Sequence, residues 1–316
     1  MQTIADLATG RRARLAFAAC AALAACKSAG TANTSREEVL VGSTLAARYV
    51  HDPYDAARTQ ETSKVWHELF APDGRRITKG LGGEFEHHRG LFFAFHKTAH
   101  AGRTLDFWHC RNGESQRHMG FCDAAELGLD DGFQVVAIDW TDAGGKAVVH
   151  ERRALRASAL DARTWSFDLV SELRADEPVS LSGDPHHSGC QFRALAEFAE
   201  KGGKKVSFVR PEGAVAHAND EWTGCAWMAM TLPLDGEPVT VLRAELPGNP
   251  TPVRWSSRDY GRFGSTFAHA LQPGAPLRIG YAWVVALGAL DDARCAQLAA
   301  QVTAADGSGS GTVRVR

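Results

Sequence analysis

The chain has 316 residues, of which 44% are apolar, enough for a large buried core in one domain or two. Its 35 Lys and Arg against 37 Asp and Glu leave a formal charge of -2, which supplies no basic field for nucleic acid and no acidic tract. Electrostatics therefore points to a small or uncharged ligand.

At the N-terminus Arg11, Arg12 and Arg14 precede an apolar run, residues 15–25, that is too short to span a bilayer and reads as an export signal. Leu23-Ala24-Ala25-Cys26 resembles a bacterial lipobox, in which the cysteine becomes the lipidated N-terminus; a plain secretory signal is the alternative. Residues 1–26 are thus expected to be a lipoprotein signal and 27–36 a polar tether. The expectation is an exported protein, held through Cys26 at the periplasmic face of the membrane or at the cell surface. Beyond it lie Cys110, Cys122, Cys190, Cys225 and Cys295, with no CxxC pair. They read mostly as core residues, with Cys110 and Cys122 the most local disulfide candidates.

Residues 37–303 are short alternating or apolar runs separated by Gly, Asp, Asn and Pro turns. Strands are predicted near 90–96, 133–139, 164–173, 205–209, 225–232, 239–246 and 277–287, with turns at 72–74, 142–145 and 234–236. A helix is predicted at 291–302, followed by a loose tail, 304–316. No repeat or composition shift divides the chain. The expected fold class is all-β, a single large antiparallel β-sandwich with little helix.

Two histidine-rich segments stand out, Glu86-His87-His88-Arg89-Gly90 and Gly183-Asp184-Pro185-His186-His187-Ser188-Gly189, each opening an apparent strand. Histidine is the side chain best placed to move protons or hold a metal near neutral pH. Residues two apart in a strand share a face. An extended 185–194 therefore puts His187, Gly189, Gln191 and Arg193 on one face, and Ser188, Cys190, Phe192 and Ala194 on the core side. A stripe of His, Gln and Arg suits a sugar or a carboxylate. His88 and His96 stand roughly 26 Å apart in a strand and cannot share one metal. A divalent metal would need both segments, or Asp106, His109 and Asp184, to converge; the sequence leaves the cofactor open.

Asp106-Phe107-Trp108-His109 would put Asp106 and Trp108 on one face, a pairing that can stack a pyranose while the acid takes its hydroxyls; a core Trp beside a turn Asp is the competing reading. Asn249-Pro250 leads through Trp255 and Arg258 to Tyr260, a proline-stiffened rim segment in which Arg258 and Tyr260 are candidate ligand contacts. GxSxG, HExxH, P-loop and GxGxxG motifs are missing, which disfavours a serine triad and dinucleotide chemistry.

Residues 66–74, His87-His88-Arg89-Gly90-Leu91-Phe92-Phe93, Asp106-Phe107-Trp108, Gly183-Asp184-Pro185 with Phe192-Arg193, and Asn249-Pro250 with Tyr260-Gly261 occur in this order across residues 41–283. In this the chain resembles an uncharacterised bacterial family of DUF6807 type, commonly labelled "methane oxygenase PmoA". The label is not taken literally, because a methane monooxygenase subunit of that kind is an integral membrane protein and no spanning segment follows the signal here. The family is similar to galactose-mutarotase-like supersandwich proteins. That resemblance implies a carbohydrate ligand on a concave sheet, with a histidine as acid and a carboxylate as base. Here His88 or His187 would be the acid and Asp106 or Asp184 the base. Arg89, Trp108, Gln191, Arg193, Asn249, Arg258 and Tyr260 would bind the ligand.

The leading expectation is an exported carbohydrate-active enzyme, an epimerase, lyase or hydrolase. A non-catalytic glycan-binding lipoprotein and a His-ligated metal or redox protein are the alternatives. Strand alternation further suggests that each histidine pair turns one ring inward and one outward. The site would then be His88, His187, Asp106, Gln191 and Arg193 rather than a cluster of four imidazoles.

Overall fold

The apolar run of the C-terminal strand, Leu277–Leu287, has no polar face because both of its faces are buried. Ile279, Tyr281, Trp283 and Val285 enter the main core, while Ala282 and Val284 point the other way onto a helix, against Cys295, Leu298, Ala299 and Val302. That helix, Asp292–Asp306, starts where the Asp291 carboxylate accepts the Arg294 N–H at 2.8 Å, an N-cap on a sequence rich in Ala and Leu. It runs on to residue 306, into the tail expected from 304.

The structure is a computed structural model that describes residues 37–199 and 203–306. The expected signal, tether and Cys26, and residues 307–316 of the expected tail, lie outside the described residues. All ladders within the sheets are antiparallel, and the fold is an all-β sandwich. An eight-stranded sheet runs Ser207–Val209, Trp227–Leu232, Val239–Glu245, Leu277–Leu287, Thr164–Arg174, Ala147–Asp161, Gln134–Thr141 and Ser115–Cys122 in spatial order. Against it lies a nine-stranded sheet, ordered Glu38–Val41, Thr44–Val50, Trp66–Leu69, Leu91–Phe95, Ser188–Arg193, Arg262–Thr266, Arg254–Arg258, Glu221–Thr223 and Val215–His217. A four-stranded sheet, His269–Leu271, Val179–Ser182, Lys97–His100 and Arg103–Leu105, completes the strands.

Aromatic residues fill the space between the two large sheets. Phe192 and Phe263 from the nine-stranded sheet meet Trp283 from the other at 5.9 and 5.8 Å, and Phe93 meets Trp140 at 5.8 Å. The strand Ala147–Asp161, which the sequence did not suggest, carries His150-Glu151-Arg152-Arg153 through its centre. Glu151 and Arg153 are buried there as an ion pair at 2.8 Å, so a run that reads as a polar surface is partly core. Cys110, Cys190, Cys225 and Cys295 are free buried thiols, as the core reading expects, and the candidate Cys110–Cys122 pairing does not form.

Polar ties cross the core, among them Gln116 Nε2 donating to the Phe93 carbonyl at 2.7 Å, and the most highly connected is that of Arg243. Arg243, fully buried on the eight-stranded sheet, donates to the Cys190 carbonyl at 2.7 Å and the Ser265 hydroxyl at 2.6 Å on the facing sheet, and to Glu245 at 2.8 Å. Its guanidinium also sits 4.0 Å from the Tyr281 ring centre. Removing it orphans buried acceptors on both sheets. Arg243→Ala is expected to cost about 3 kcal/mol in urea unfolding. A loss below about 1 kcal/mol would show that this tie does not hold the sheets together.

Candidate functional site

Register decides which residues of the nine-stranded sheet face away from the core. Phe192 pairs with Phe263 and both point inward, so their neighbours Gln191, Arg193, Arg262 and Gly264 point outward. The ladder places Phe92 opposite Gln191, Arg258 opposite Arg262 and Ser256 opposite Gly264 on this same outer face.

Over that face lie two turns built alike. In Asp106-Phe107-Trp108-His109 the carboxylate accepts the backbone N–H of Trp108 at 3.0 Å and of His109 at 2.9 Å, and meets His109 Nδ1 at 2.7 Å. In Asp184-Pro185-His186-His187 it accepts the N–H of His186 at 2.9 Å and of His187 at 3.1 Å, and meets His187 Nδ1 at 2.9 Å. Each is an Asp-x-x-His turn in which one carboxylate fixes both the backbone and the ring. Neither histidine pair opens a strand, and this corrects the expected alternation: Leu91–Phe95 starts after His87 and His88, and Ser188–Arg193 starts after His186 and His187. Two glycines allow the second turn. A Cβ on Gly183 would lie 1.9 Å from Ser188 Oγ, and one on Gly189, at φ +82°, would lie 1.9 Å from the Ser265 carbonyl.

Freed from strand geometry, the imidazoles converge. His88 and His87 are 4.3 Å apart between ring centres, His87 and His109 4.8 Å, and His109 and His187 5.2 Å. His186 follows at 6.2 Å from His187, and Arg262 donates to its Nδ1 at 2.9 Å. Arg262 pairs in register with Arg193. These residues form a ring around Trp108, whose indole touches His88 at 6.2 Å on one side and His187 at 5.9 Å on the other. The expectation that the site is not a cluster of imidazoles is thus corrected. Among the described residues, however, no group of three His, Cys, Asp or Glu side chains has the arrangement to hold a metal ion. A recess of about 690 Å³ lies elsewhere, along Val39, Phe121 and Phe133, and no histidine lines it.

The field in the ring keeps several imidazoles neutral. Burial pushes His87 down to about 3, aided by the charges of Lys64, His109 and His187. Burial and then Arg193 hold His88 well below the ordinary histidine range. Burial, Arg262 and Arg258 bring His186 to about 4. For Asp184, burial raises the carboxyl pKa, but the hydrogen bond and charge of His187, with the His186 N–H, outweigh it and keep the group ionised. Asp106 is held low in the same way by His109. An ionised carboxylate only accepts, so the proton on each partner ring sits on Nδ1 and its Nε2 is left with a lone pair when the ring is neutral.

Of the expected site residues, His88, His187, Asp106, Arg193 and Tyr260 gather here. Several expected ligand contacts are engaged otherwise. Trp108 is fully buried on Phe92, at 4.7 Å, because its turn folds it under the histidines; it forms the floor rather than an exposed stacking platform. Gln191, also fully buried, donates to the Ser188 carbonyl at 2.9 Å and accepts from Arg262 at 3.1 Å, so it positions the second turn. Arg89 is bound to the carbonyls of Glu86, His88 and Gln60 and lies over Trp66. Asn249 bonds Glu245 and Gly280 on the eight-stranded sheet, away from the ring. Arg258 sits at the rim, bound to Asp220 at 2.6 Å and 3.4 Å from His186 Nε2. The expected site left out Arg262 and Lys64, set His87 and His186 aside as outward rings, and named His109 only as a conditional metal ligand. The repeated Asp-x-x-His spacing is the one signal that points to His109.

The fold and this face define an all-β sandwich protein with a histidine–carboxylate site on the outer face of its larger sheet. The chain belongs to the family of unknown function DUF6807, whose model matches residues 36–300. No curated protein matches it. Among solved structures it is similar to one described as a kojibiose phosphorylase from the human microbiome, at 9% identity and a TM-score of 0.33, over 84% of this chain and 29% of that one. It is similar also to a heparan sulfate lyase HepC mutant from Pedobacter heparinus, at 6% identity and 0.35, over 82% of this chain and 38% of the other. A third is the GH36 alpha-galactosidase AgaA from Geobacillus stearothermophilus, at 11% identity and 0.33, over 81% and 39%. The chain spans less than half the length of each, and likeness at these scores assigns neither activity nor ligand.

The depressed imidazoles set a pH dependence. Their folded pKa values lie below the unfolded value near 6.5, so their contribution to stability is complete above that pH and is lost as pH falls through about 4. His87, His88 and His186 should each take up about one proton on unfolding at pH 5. The melting temperature is expected to fall steadily from pH 7 to pH 5 in calorimetry. A flat profile over that window would mean that these rings titrate normally in the folded protein.

Proposed function

We propose that the protein is a carbohydrate-active enzyme that moves a proton on a sugar, using the dyads His187–Asp184 and His109–Asp106. The observation that carries this reading is the approach of the two rings to 5.2 Å, each with Nδ1 committed to a carboxylate. A neutral ring held this way presents Nε2 as a base, and its partner carboxylate stabilises the imidazolium that forms. The second ring, once protonated, returns a proton to another atom of the same sugar. His88, kept neutral, is a hydrogen-bond partner for the ligand rather than a proton store.

Among epimerase, lyase and hydrolase, this arrangement favours the first two. Hydrolysis by paired carboxylates needs one of them as a protonated acid. Asp106 and Asp184 are instead both ionised and both bound to histidines. Epimerisation and elimination both begin with removal of a proton from carbon, which a pair of positioned imidazoles can serve. The N-terminal signal and Cys26 support placing the enzyme outside the cytoplasm as a lipoprotein.

Incubation of the full chain with a panel of mono- and polysaccharides in deuterium oxide tests the reading. Solvent deuterium should enter the sugar, and His187→Ala and Asp184→Asn should each lower turnover by about 100-fold or more with ligand binding retained. Wild-type turnover in His187→Ala would remove His187 from the chemistry. Binding without isotope exchange or product by the native chain would make it a glycan binder instead.

A further inference from the structure

At one end of the histidine ring a buried cation is bonded to no carboxylate among the described residues. Arg193 is 1% exposed, and none of its three guanidinium nitrogens meets an acceptor in good hydrogen-bond geometry among the described residues; the Tyr260 hydroxyl and the exposed Glu84 carboxylate ease its charge without pairing with it. A guanidinium has five N–H donors and cannot accept. Tyr260 and Phe85 lie against it, 4.4 and 5.3 Å from ring centre to the guanidinium carbon, and stack on each other at 5.4 Å. Such rings attract the charge but leave the N–H edge unsatisfied.

The neighbouring cations are different. Lys64 bonds the His87 carbonyl, Lys79 bonds those of Gly80 and His88, and Arg262 bonds Gln191, Ser256 and His186. Arg89 and Arg210 each leave one nitrogen unpaired, but Arg193 leaves all three. His88, which feels the Arg193 charge, has a buried Nδ1 without a partner, and so has Nε1 of Trp108, whose ring packs on His88. An indole N–H and a guanidinium can only donate. A ligand that completes this end must accept.

We propose that this end of the ring seats an anion and that the ligand is an acidic saccharide, a sugar bearing a carboxylate held by Arg193 beside His88 and Trp108. The inference rests on the reading above that this face holds a sugar. A hydroxyl would satisfy N–H groups but leave the desolvated charge standing, whereas a carboxylate does both and matches the planar guanidinium fork at two oxygens. Neutralising the carboxylate also acidifies the C–H beside it. When that bond breaks, its electron pair passes into the carboxylate, held by Arg193, and its proton passes to a histidine Nε2.

Titration calorimetry of the full chain with D-glucuronate, D-galacturonate, their methyl esters, D-glucose, D-galactose and glucose 6-sulfate tests this. At least one uronate should bind about 10- to 100-fold more tightly than its neutral counterpart, and esterification should remove that advantage. Arg193→Met should abolish the preference and melt no lower than the native chain, since it removes a charge that folding leaves uncompensated. Equal binding of neutral and acid sugars, a preference that survives in Arg193→Met, or no binding of any uronate would overturn the proposal. A sulfated sugar bound as tightly as the uronate would overturn the carboxylate assignment, and a large drop in melting temperature for Arg193→Met would make the guanidinium structural. None of these results depends on turnover, so isotope exchange on neutral sugars would leave the proton-transfer reading standing while this one falls.

Discussion

The constraint behind the site is the burial of main-chain carbonyls in a segment with no strand partner. Between Lys79 and Gly90 the chain has no regular structure, yet its C-terminal end is buried. Buried carbonyls need donors. Here cationic side chains supply them: Lys64 bonds the carbonyls of His87 and Trp108, Lys79 those of Gly82 and His88, and Arg89 those of Glu86 and Gln60. Lys64 thereby joins the first histidine segment to the Asp106–His109 turn, though the two are remote in sequence. The same ammonium contributes to the low pKa of His87. Scaffold and electrostatics are one interaction, and burial brings Lys64 and Lys79 down to about 8, still charged near neutrality.

Much of the fold was legible because strand patterning is local. Residues 277–287 were read with their boundaries intact because the strand is apolar on both buried faces, and 164–173 within a residue because Trp165, Phe167 and Leu169 alternate with Ser166 and Asp168. The strand Ala147–Asp161 was illegible because its centre carries the buried Glu151–Arg153 pair, and a charged run is normally a surface. Within Ser188–Arg193 alternation gave the right faces: Cys190 and Phe192 inward, Gln191 and Arg193 outward. It gave the wrong exposure for the outward pair, since the turns and loop that cover them come from far along the chain.

The histidine segments failed the alternation argument for a specific reason. In Asp-x-x-His the carboxylate captures two backbone N–H groups and a ring nitrogen, and that local competitor takes the residues out of the extended conformation before the strand begins. The motif occurs at Asp106 and Asp184 and was visible as spacing. Its convergence was not, because it depends on Lys64, Gln191 and Arg262, none of which carries a local signature.

The ring is polarised as a consequence. At one end His109 and His187 each have a carboxylate, so a proton gained there meets a compensating charge at no further cost in desolvation. At the other end neither Arg193 nor His88 is bonded to a carboxylate among the described residues, and burial together with the charge of Arg193 depresses the imidazole. Trp108 separates the two ends and touches both. A ligand bridging them meets a cation where negative charge can rest and a base where a proton can go. That is the division a proton abstraction requires, and it follows from which buried cations found carbonyls and which one did not.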